Sequence, residues 1–265
     1  MRKLLNGYNP LMLLCIDVGN TETTLGLFRD GTLITTFRYQ TRAFETADEL
    51  AATIKAFLDL AGSSFADLDG MCLSSVVPRL TGSYEEMAKR YLTVTPVVVG
   101  PGVKTGIPIL YENPHEIGAD RITNAVACAN LYGVPGIVVD FGTATTLDVI
   151  SRKGEYLGGT ISPGILVSAE ALFTRAARLS KVDLSAPRAT VGRNTRESLQ
   201  SGIVFGTAAM VDGLIERVIE EMGEEPVVVA TGGLCEIFRG ILRTVQTFDP
   251  HLTLRGLAII YEKNR

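Results

Sequence analysis

The sequence writes one short stretch twice. Residues 14–28 read LCIDVGNTETTLGLF, and residues 137–150 read IVVDFGTATTLDVI. Each is an apolar, β-branched run, then Asp, one residue, Gly, a Thr-rich stretch and a second apolar run. The pattern is a β-hairpin with a Gly-containing turn, and its recurrence more than a hundred residues later asks for two related halves. Such a turn presents backbone N–H groups and Thr hydroxyls to an anion. A carboxylate ending the first strand can hold a hydrated cation beside that anion. Asp17-Val18-Gly19-Asn20-Thr21 and Asp140-Phe141-Gly142-Thr143 supply the same parts. One Asp-x-Gly alone is ordinary hairpin text. Two copies, each after a buried strand and each rich in Thr, point to phosphate, with the halves facing each other across a cleft to grip a polyphosphate from both sides.

The length permits two halves. At 265 residues the chain is near the size, roughly 250–300, at which one core divides into two. Apolar residues make up 46% and charged residues 20%, which is enough for a sizeable core. A net charge of −4 without a long basic run offers no footprint for nucleic acid or an anionic membrane. Cys15, Cys72, Cys128 and Cys235 lie far apart in apolar text. They read as reduced core thiols of a cytoplasmic protein, not as disulfides or metal ligands. No apolar run approaches the roughly 18 residues of a membrane span. The start, MRKLLNGYNPLMLLCI, faintly has the charge-then-leucine order of a signal peptide. Asn6 to Pro10 interrupts it and LMLLCI is needed as the first strand, so the residues before Met12 read as a short extension.

Periodicity orders the rest. Strands are expected at 11–18, 24–29 and 32–39, then a helix over 46–61 with Leu50, Ile54, Phe57 and Leu58 on one face. Thr46 and Glu49 form its capping box. MCLSSVV is a buried strand, Ser83 to Tyr91 a helix and TPVVVG a strand. Pro, Gly and Asn crowd residues 100–114, which marks the crossing between domains 1–116 and 117–265. A helix starts near Gly118. The second hairpin follows, then YLGGTISPG, a helix through SAEALFTRAARL, and a polar loop from Lys181 to Asn194. Thr195 opens a long helix to about Met222, PVVVATGG is a late strand and LTLRGLAIIYEKN a closing helix.

Other nucleotide signatures are missing. The chain has no Gly-Lys dipeptide and hence no P-loop, and Gly100 to Gly106 has the wrong spacing for a dinucleotide loop. It has no Cys/His cluster for zinc and no G-x-S-x-G. His115 and His251 each follow a proline and read as surface turn residues.

With two phosphate hairpins and a late Thr231-Gly232-Gly233, the text resembles the acetate and sugar kinase, Hsp70 and actin superfamily. Taken alone, the late motif is a strand ending in a Gly turn; placed third after the hairpins it fits an adenosine position. A closer resemblance is to the type III pantothenate kinase family. It rests on DVGNT (17–21), SSVVP (74–78), YENPHEIGADR (111–121), DFGTATT (140–146), GGTISPG (158–164), TGG (231–233) and LTLRGL (252–257). The departures are the residues before Met12 and a landmark-free linker over 165–190.

The resemblance implies an α/β fold of two ribonuclease-H-like (actin-like ATPase) halves, a mixed β-sheet in each and a nucleotide cleft between them. The reaction it implies is ATP-dependent phosphorylation of the primary hydroxyl of pantothenate to 4'-phosphopantothenate, the first step of coenzyme A biosynthesis. By resemblance Asp120 is the catalytic base. ATP contacts fall on Asp17, Val18, Gly19, Asn20, Thr21, Glu22, Thr23, Thr24, Thr143, Gly232 and Gly233. Substrate contacts fall on Tyr111, Gly118, Ala119, Asp120, Arg121 and Thr195. Asp17 organises Mg2+–ATP through water, and Asp140 is the ligand of a monovalent cation, K+ or NH4+. Each has a plainer reading beside it: Asp120 as a first-turn carboxylate favoured by the helix dipole, Arg121 as a surface arginine, Thr195 as a helix cap. Two other classes stay open, a nucleotide-gated regulator and a phosphatase. The first would want a basic DNA-binding face; the second would leave Tyr111 and Asp120-Arg121 unexplained. The family also implies a homodimer with the acceptor pocket at the subunit interface. Ile203, Val204, Phe205, Met210, Val211 and Leu214 give the helix after Thr195 more apolar surface than one buried side needs.

Overall fold

The computed structural model describes residues 11–175 and 181–265. The expected extension before Met12 and the end of the helix predicted over 168–179 therefore fall largely outside the described residues.

The first sheet holds β1 (Met12–Val18), β2 (Glu22–Arg29), β3 (Thr32–Gln40), β4 (Gly70–Ser75) and β5 (Val97–Val98), in the order β3-β2-β1-β4-β5. β1, β2 and β3 form an antiparallel meander, and β4 and β5 run parallel to β1. The return from β3 to β4 is carried by α1 (Ala47–Leu60), as a parallel pairing requires. Leu50, Ile54 and Leu58 of α1 are buried one turn apart. Thr46 and Glu49 close the predicted capping box, with the Glu49 N–H donating to Thr46 Oγ1 at 3.3 Å and the Thr46 N–H donating to Glu49 Oε2 at 2.9 Å. α2 (Pro78–Met87) starts five residues before the expected Ser83. Pro78 sits at its first position, where a missing N–H costs nothing.

α3 (Ala119–Leu131) leads to the second sheet, made of β6 (Gly136–Phe141), β7 (Ala144–Ile150), β8 (Tyr156–Pro163), β9 (Val227–Thr231) and β10 (Thr247–Phe248). Its order is β10-β9-β6-β7-β8. Again the first three strands are an antiparallel meander and the last two join in parallel. The two sheets therefore have one topology, which is the structural counterpart of the repeated hairpin text. β10 has no counterpart in the sequence reading, being only two residues long. The helices of this part are α4 (Ile165–Arg175), α5 (Thr195–Gln200) and α6 (Gly206–Met222), and α7 (Leu252–Asn264) closes the chain. α5 passes into α6 through a π-helical turn at Ser201–Phe205.

Two compact units result. One comprises the described residues up to 106 with Asn113–Val126 and Thr253–Arg265; the other comprises Ile107–Glu112 and the described part of Ala127–Leu252. In the first, Leu14, Ile16 and Val18 of β1 pack with Met71 and Leu73 of β4 against α1 and α2. Leu254 and Tyr261 of α7 lie over Gly26 and Gly70, which have no side chains to stand in the way. In the second, Ile137, Val139 and Phe141 of β6 pack with Val228 and Ala230 of β9 against residues of α4 and α6. Ile203, Val204 and Val211 are buried in this core, and Phe205, Met210 and Leu214 pack against it. The apolar surface of that helix is thus used inside the chain and gives no support to a subunit interface. All four cysteines are free and buried.

Candidate active site

Because side chains alternate along a strand, Asp17 lies on the face opposite Ile16 and Val18 and is half-buried. Its neighbours across the sheet are Thr24 on β2 and Ser74 on β4. The Gly19 N–H donates to the Glu22 carbonyl at 3.0 Å and closes the turn. A Cβ on Gly19 would sit 2.9 Å from that oxygen, so the turn requires glycine. Asn20, Thr21 and Glu22 are exposed at the tip and Thr24 is half-buried on the Asp17 face. Val18 and Thr23 face the core instead. The Thr23 hydroxyl is 2.9 Å from that of Thr41, so this side chain seats the hairpin, and Val18 has only its backbone to offer a ligand.

Asp120 stands in the first turn of α3, half-buried, with Oδ1 accepting the Arg121 N–H at 2.8 Å. The carboxylate folds back over Gly118, where any Cβ would collide with it. Burial is the main influence on this carboxyl and pushes its pKa above the usual carboxylate range, while the Arg121 N–H and guanidinium oppose the rise. Arg121 is only 7% exposed, which removes its reading as a surface arginine. Ala119 is buried, and its carbonyl accepts the Thr123 hydroxyl at 2.7 Å.

In the second unit, Asp140 is half-buried between Thr146 on β7 and Thr231 on β9. The Gly142 N–H donates to the Ala144 carbonyl at 3.0 Å, and Thr143 is exposed at a tip one residue shorter than that of the first hairpin. The late Gly motif packs on this hairpin: Gly232 has φ +92°, and a Cβ there would collide with Asp140 Oδ1 and lie 2.7 Å from the Phe141 backbone. Gly233 is exposed beside it. Sequence reasoning missed Gly164, which was legible as the Gly ending GGTISPG just before a helix. Its N–H donates to the Thr143 carbonyl at 3.1 Å, so the N-terminus of α4 abuts the turn of the second hairpin.

Tyr111 is half-buried against Tyr156, ring centroids 6.3 Å apart, over Gly158, whose absent Cβ would lie 3.3 Å from the Tyr111 ring. Tyr156 is held in turn by its hydroxyl donating to the buried Asp148 at 2.9 Å. Thr195 is exposed at the first position of α5. The cap is Asn194, which accepts the Glu197 N–H at 2.9 Å, so Thr195 has no capping duty. His115 is exposed as expected, whereas His251 is half-buried with Nδ1 enclosed.

Candidate metal sites can be tested against their surroundings. Among the described residues no three His, Cys, Asp or Glu side chains gather to hold an ion. What the structure offers is one carboxylate with hydroxyls on either side, twice over. The Ser74 and Thr231 hydroxyls are both buried and unpartnered, Ser74 beside Asp17 and Thr231 beside Asp140. Oxygen donors of that kind suit Mg2+ carried by phosphates and a larger monovalent ion.

Two five-stranded sheets of one topology, each opening on an Asp-x-Gly hairpin, give an α/β fold of the sugar kinase and actin-like ATPase type. A polyphosphate/ATP-glucomannokinase from Arthrobacter has this fold, at 13% identity, 96% coverage of this chain, 100% of that one and a TM-score of 0.50. So does a Campylobacter jejuni protein described as a Baf family transcriptional activator, at 22% identity, 95% and 98% coverage and a TM-score of 0.59. Identities this low establish the fold alone. The profile of the type III pantothenate kinase family matches residues 13–217. A type III pantothenate kinase from Halalkalibacterium halodurans is 49% identical over 253 residues, covering 96% of this chain and 100% of its own. One from Bacillus cytotoxicus is 47% identical over 253 residues, covering 96% and 97%. The chain belongs to the type III pantothenate kinase family.

Proposed function

We propose that this chain transfers the γ-phosphoryl group of ATP to the primary hydroxyl of pantothenate, forming 4'-phosphopantothenate for coenzyme A synthesis. The observation that carries this reading is Asp120. It is a half-buried carboxylate with a raised pKa, folded over a glycine and followed by a buried arginine. An alcohol is a poor nucleophile, and a carboxylate so placed can take its proton as the new O–P bond forms and the bond to the ADP oxygen breaks. The raised pKa, caused by burial, makes Asp120 a stronger base than an exposed aspartate. Arg121 balances charge on the acceptor or the transferring group. Tyr111 and Thr195 are assigned to the substrate by the family resemblance.

The Gly19–Glu22 and Gly142–Thr143 turns are assigned to the ATP phosphates, and Gly232–Gly233 to the adenosine. Asp17 would hold Mg2+ through water, with Ser74 close by. Asp140 would hold K+ or NH4+. When bound, these ions offset charge on the phosphates. We assign the enzyme to the cytoplasm, in keeping with four free, buried cysteines. Among the described residues no helix is long and apolar enough to cross a membrane. The working form is proposed to be a homodimer. Its support is the apolar surface left open on consecutive elements: Leu157 and Ile161 of β8, and Leu166, Val167 and Leu172 of α4.

Coupled detection of ADP tests the reaction. ADP should form only when ATP and pantothenate are both present. Phosphate release at the same rate without pantothenate would instead make this a phosphatase, and binding of ATP without turnover would make it a regulator.

A further inference from the structure

We propose that Thr231 is a direct ligand of the monovalent cation assigned to Asp140, supplying its side-chain oxygen. The inference rests on that assignment and adds a residue to it.

Thr231 ends β9 and pairs in register with Asp140 on the parallel neighbour β6. Laterally paired residues of parallel strands project to the same face. That face is opposite the one packed against α4 and α6, since Val139, Phe141, Val228 and Ala230 all belong to that core cluster, and Val138 and Val229 beside it are buried as well. Thr231 is 0% exposed, yet its hydroxyl oxygen has no hydrogen-bond partner. Buried hydroxyls are nearly always satisfied, so an orphan beside a carboxylate marks a missing occupant. Across β6 the row is completed by Thr146, which gives hydroxyl, carboxylate and hydroxyl side by side on three strands.

The occupant that fits is a large, weakly hydrated cation. A hydroxyl can turn its lone pairs to such an ion and direct its proton elsewhere. The other half repeats the design. Asp17 lies between Thr24 and Ser74, and the Ser74 hydroxyl is buried and unpartnered as well. Gly232 follows Thr231 with φ +92°, and any side chain there would collide with Asp140 Oδ1, so the strand end bearing Thr231 lies close against that carboxylate.

The test is the melting temperature of the whole protein, without nucleotide, titrated with KCl against choline chloride at constant ionic strength. Thr231→Val keeps the shape and removes the oxygen. Losing one charge-assisted contact should weaken potassium binding about 10–100-fold. In choline the same variant should melt at or above the wild-type temperature, because an unsatisfied hydroxyl has gone. Thr231→Ser should keep the potassium midpoint within about threefold, and it preserves the comparison if the valine variant folds poorly. A Thr231→Val midpoint equal to wild type would overturn the proposal, as would a serine variant that loses the potassium response. Asp140→Asn separates the two layers. If it responds to potassium like wild type, or if wild type does not respond, the Asp140 assignment fails and Thr231 falls with it.

Discussion

Gly118→Ala should damage catalysis without damaging the fold. The new methyl would occupy the place where the Asp120 carboxylate folds back, and its other near neighbour is Val76 Cγ1 at an ordinary 3.6 Å. The obstacle is the end of a side chain, not backbone, so Asp120 moves and the protein remains folded. Replacing Gly by Ala at a compatible position gains about 0.4–1 kcal/mol through the unfolded state. Weakening the half-exposed bond from the Arg121 N–H to Asp120 costs about the same or somewhat more. The net change in stability is therefore near zero. In the proposed mechanism catalysis depends on where the carboxylate sits. A displacement of about 1 Å costs about 100-fold in rate, and full loss of a general base costs about 10²–10⁴-fold, or roughly 3–5 kcal/mol of barrier. Steady-state kinetics at saturating ATP and pantothenate, with a thermal melt on the same sample, read both effects. The expected result is kcat down about 100-fold with the KM for ATP unchanged. A variant with wild-type kcat would show that the position of Asp120 over Gly118 has no part in the reaction.

Four further outcomes are expected. Burial raises the Asp120 pKa, so kcat/KM should fall as pH drops through a value above the ordinary aspartate value of about 3.9, measured as an acid limb in a pH–rate profile. The sign for stability is the reverse: protonated Asp120 stabilises the fold, and that contribution is lost as pH rises through the folded pKa. Asp120→Asn should therefore melt higher than wild type at neutral pH. Gly164→Ala would drive a methyl into the backbone carbonyls of Gly142 and Thr143. It should cost about 1–3 kcal/mol in denaturant unfolding and weaken ATP binding by calorimetry. Light scattering should give the mass of a dimer, with Ile161→Asp and Leu166→Asp shifting it toward monomer; an active wild-type monomer at micromolar concentration would refute this.

The duplicated topology was legible because the sequence repeats both the hairpin and its charge placement. The capping box of α1 was legible because Thr46 and Glu49 act through local spacing. The start of α2 was less so: Pro78 can end a strand or open a helix, and only packing of Leu80 and Tyr84 into the core decides it. The apolar helix after Thr195 was misread as having surface to spare, since the sequence does not show how wide a core it serves. Asp17, Asp140 and Asp120 could be named from motifs. Their setting could not be, because Ser74 and Thr231 meet these acids only through strand pairing, and Gly118 and Gly232 matter through atoms they lack. Thr23 shows the converse, since a motif position read as a ligand contact faces the core.

The most direct test of the central claim is the product formed by wild type and Asp120→Asn side by side. Mass spectrometry of the acceptor after incubation with Mg2+–ATP and pantothenate is the measurement. Wild type should convert pantothenate to 4'-phosphopantothenate in step with ADP. Asp120→Asn should bind ATP normally and form the same product about 10²–10⁴-fold more slowly. Pantothenate left unmodified by wild type, or phosphorylated at an equal rate by the variant, would contradict the account.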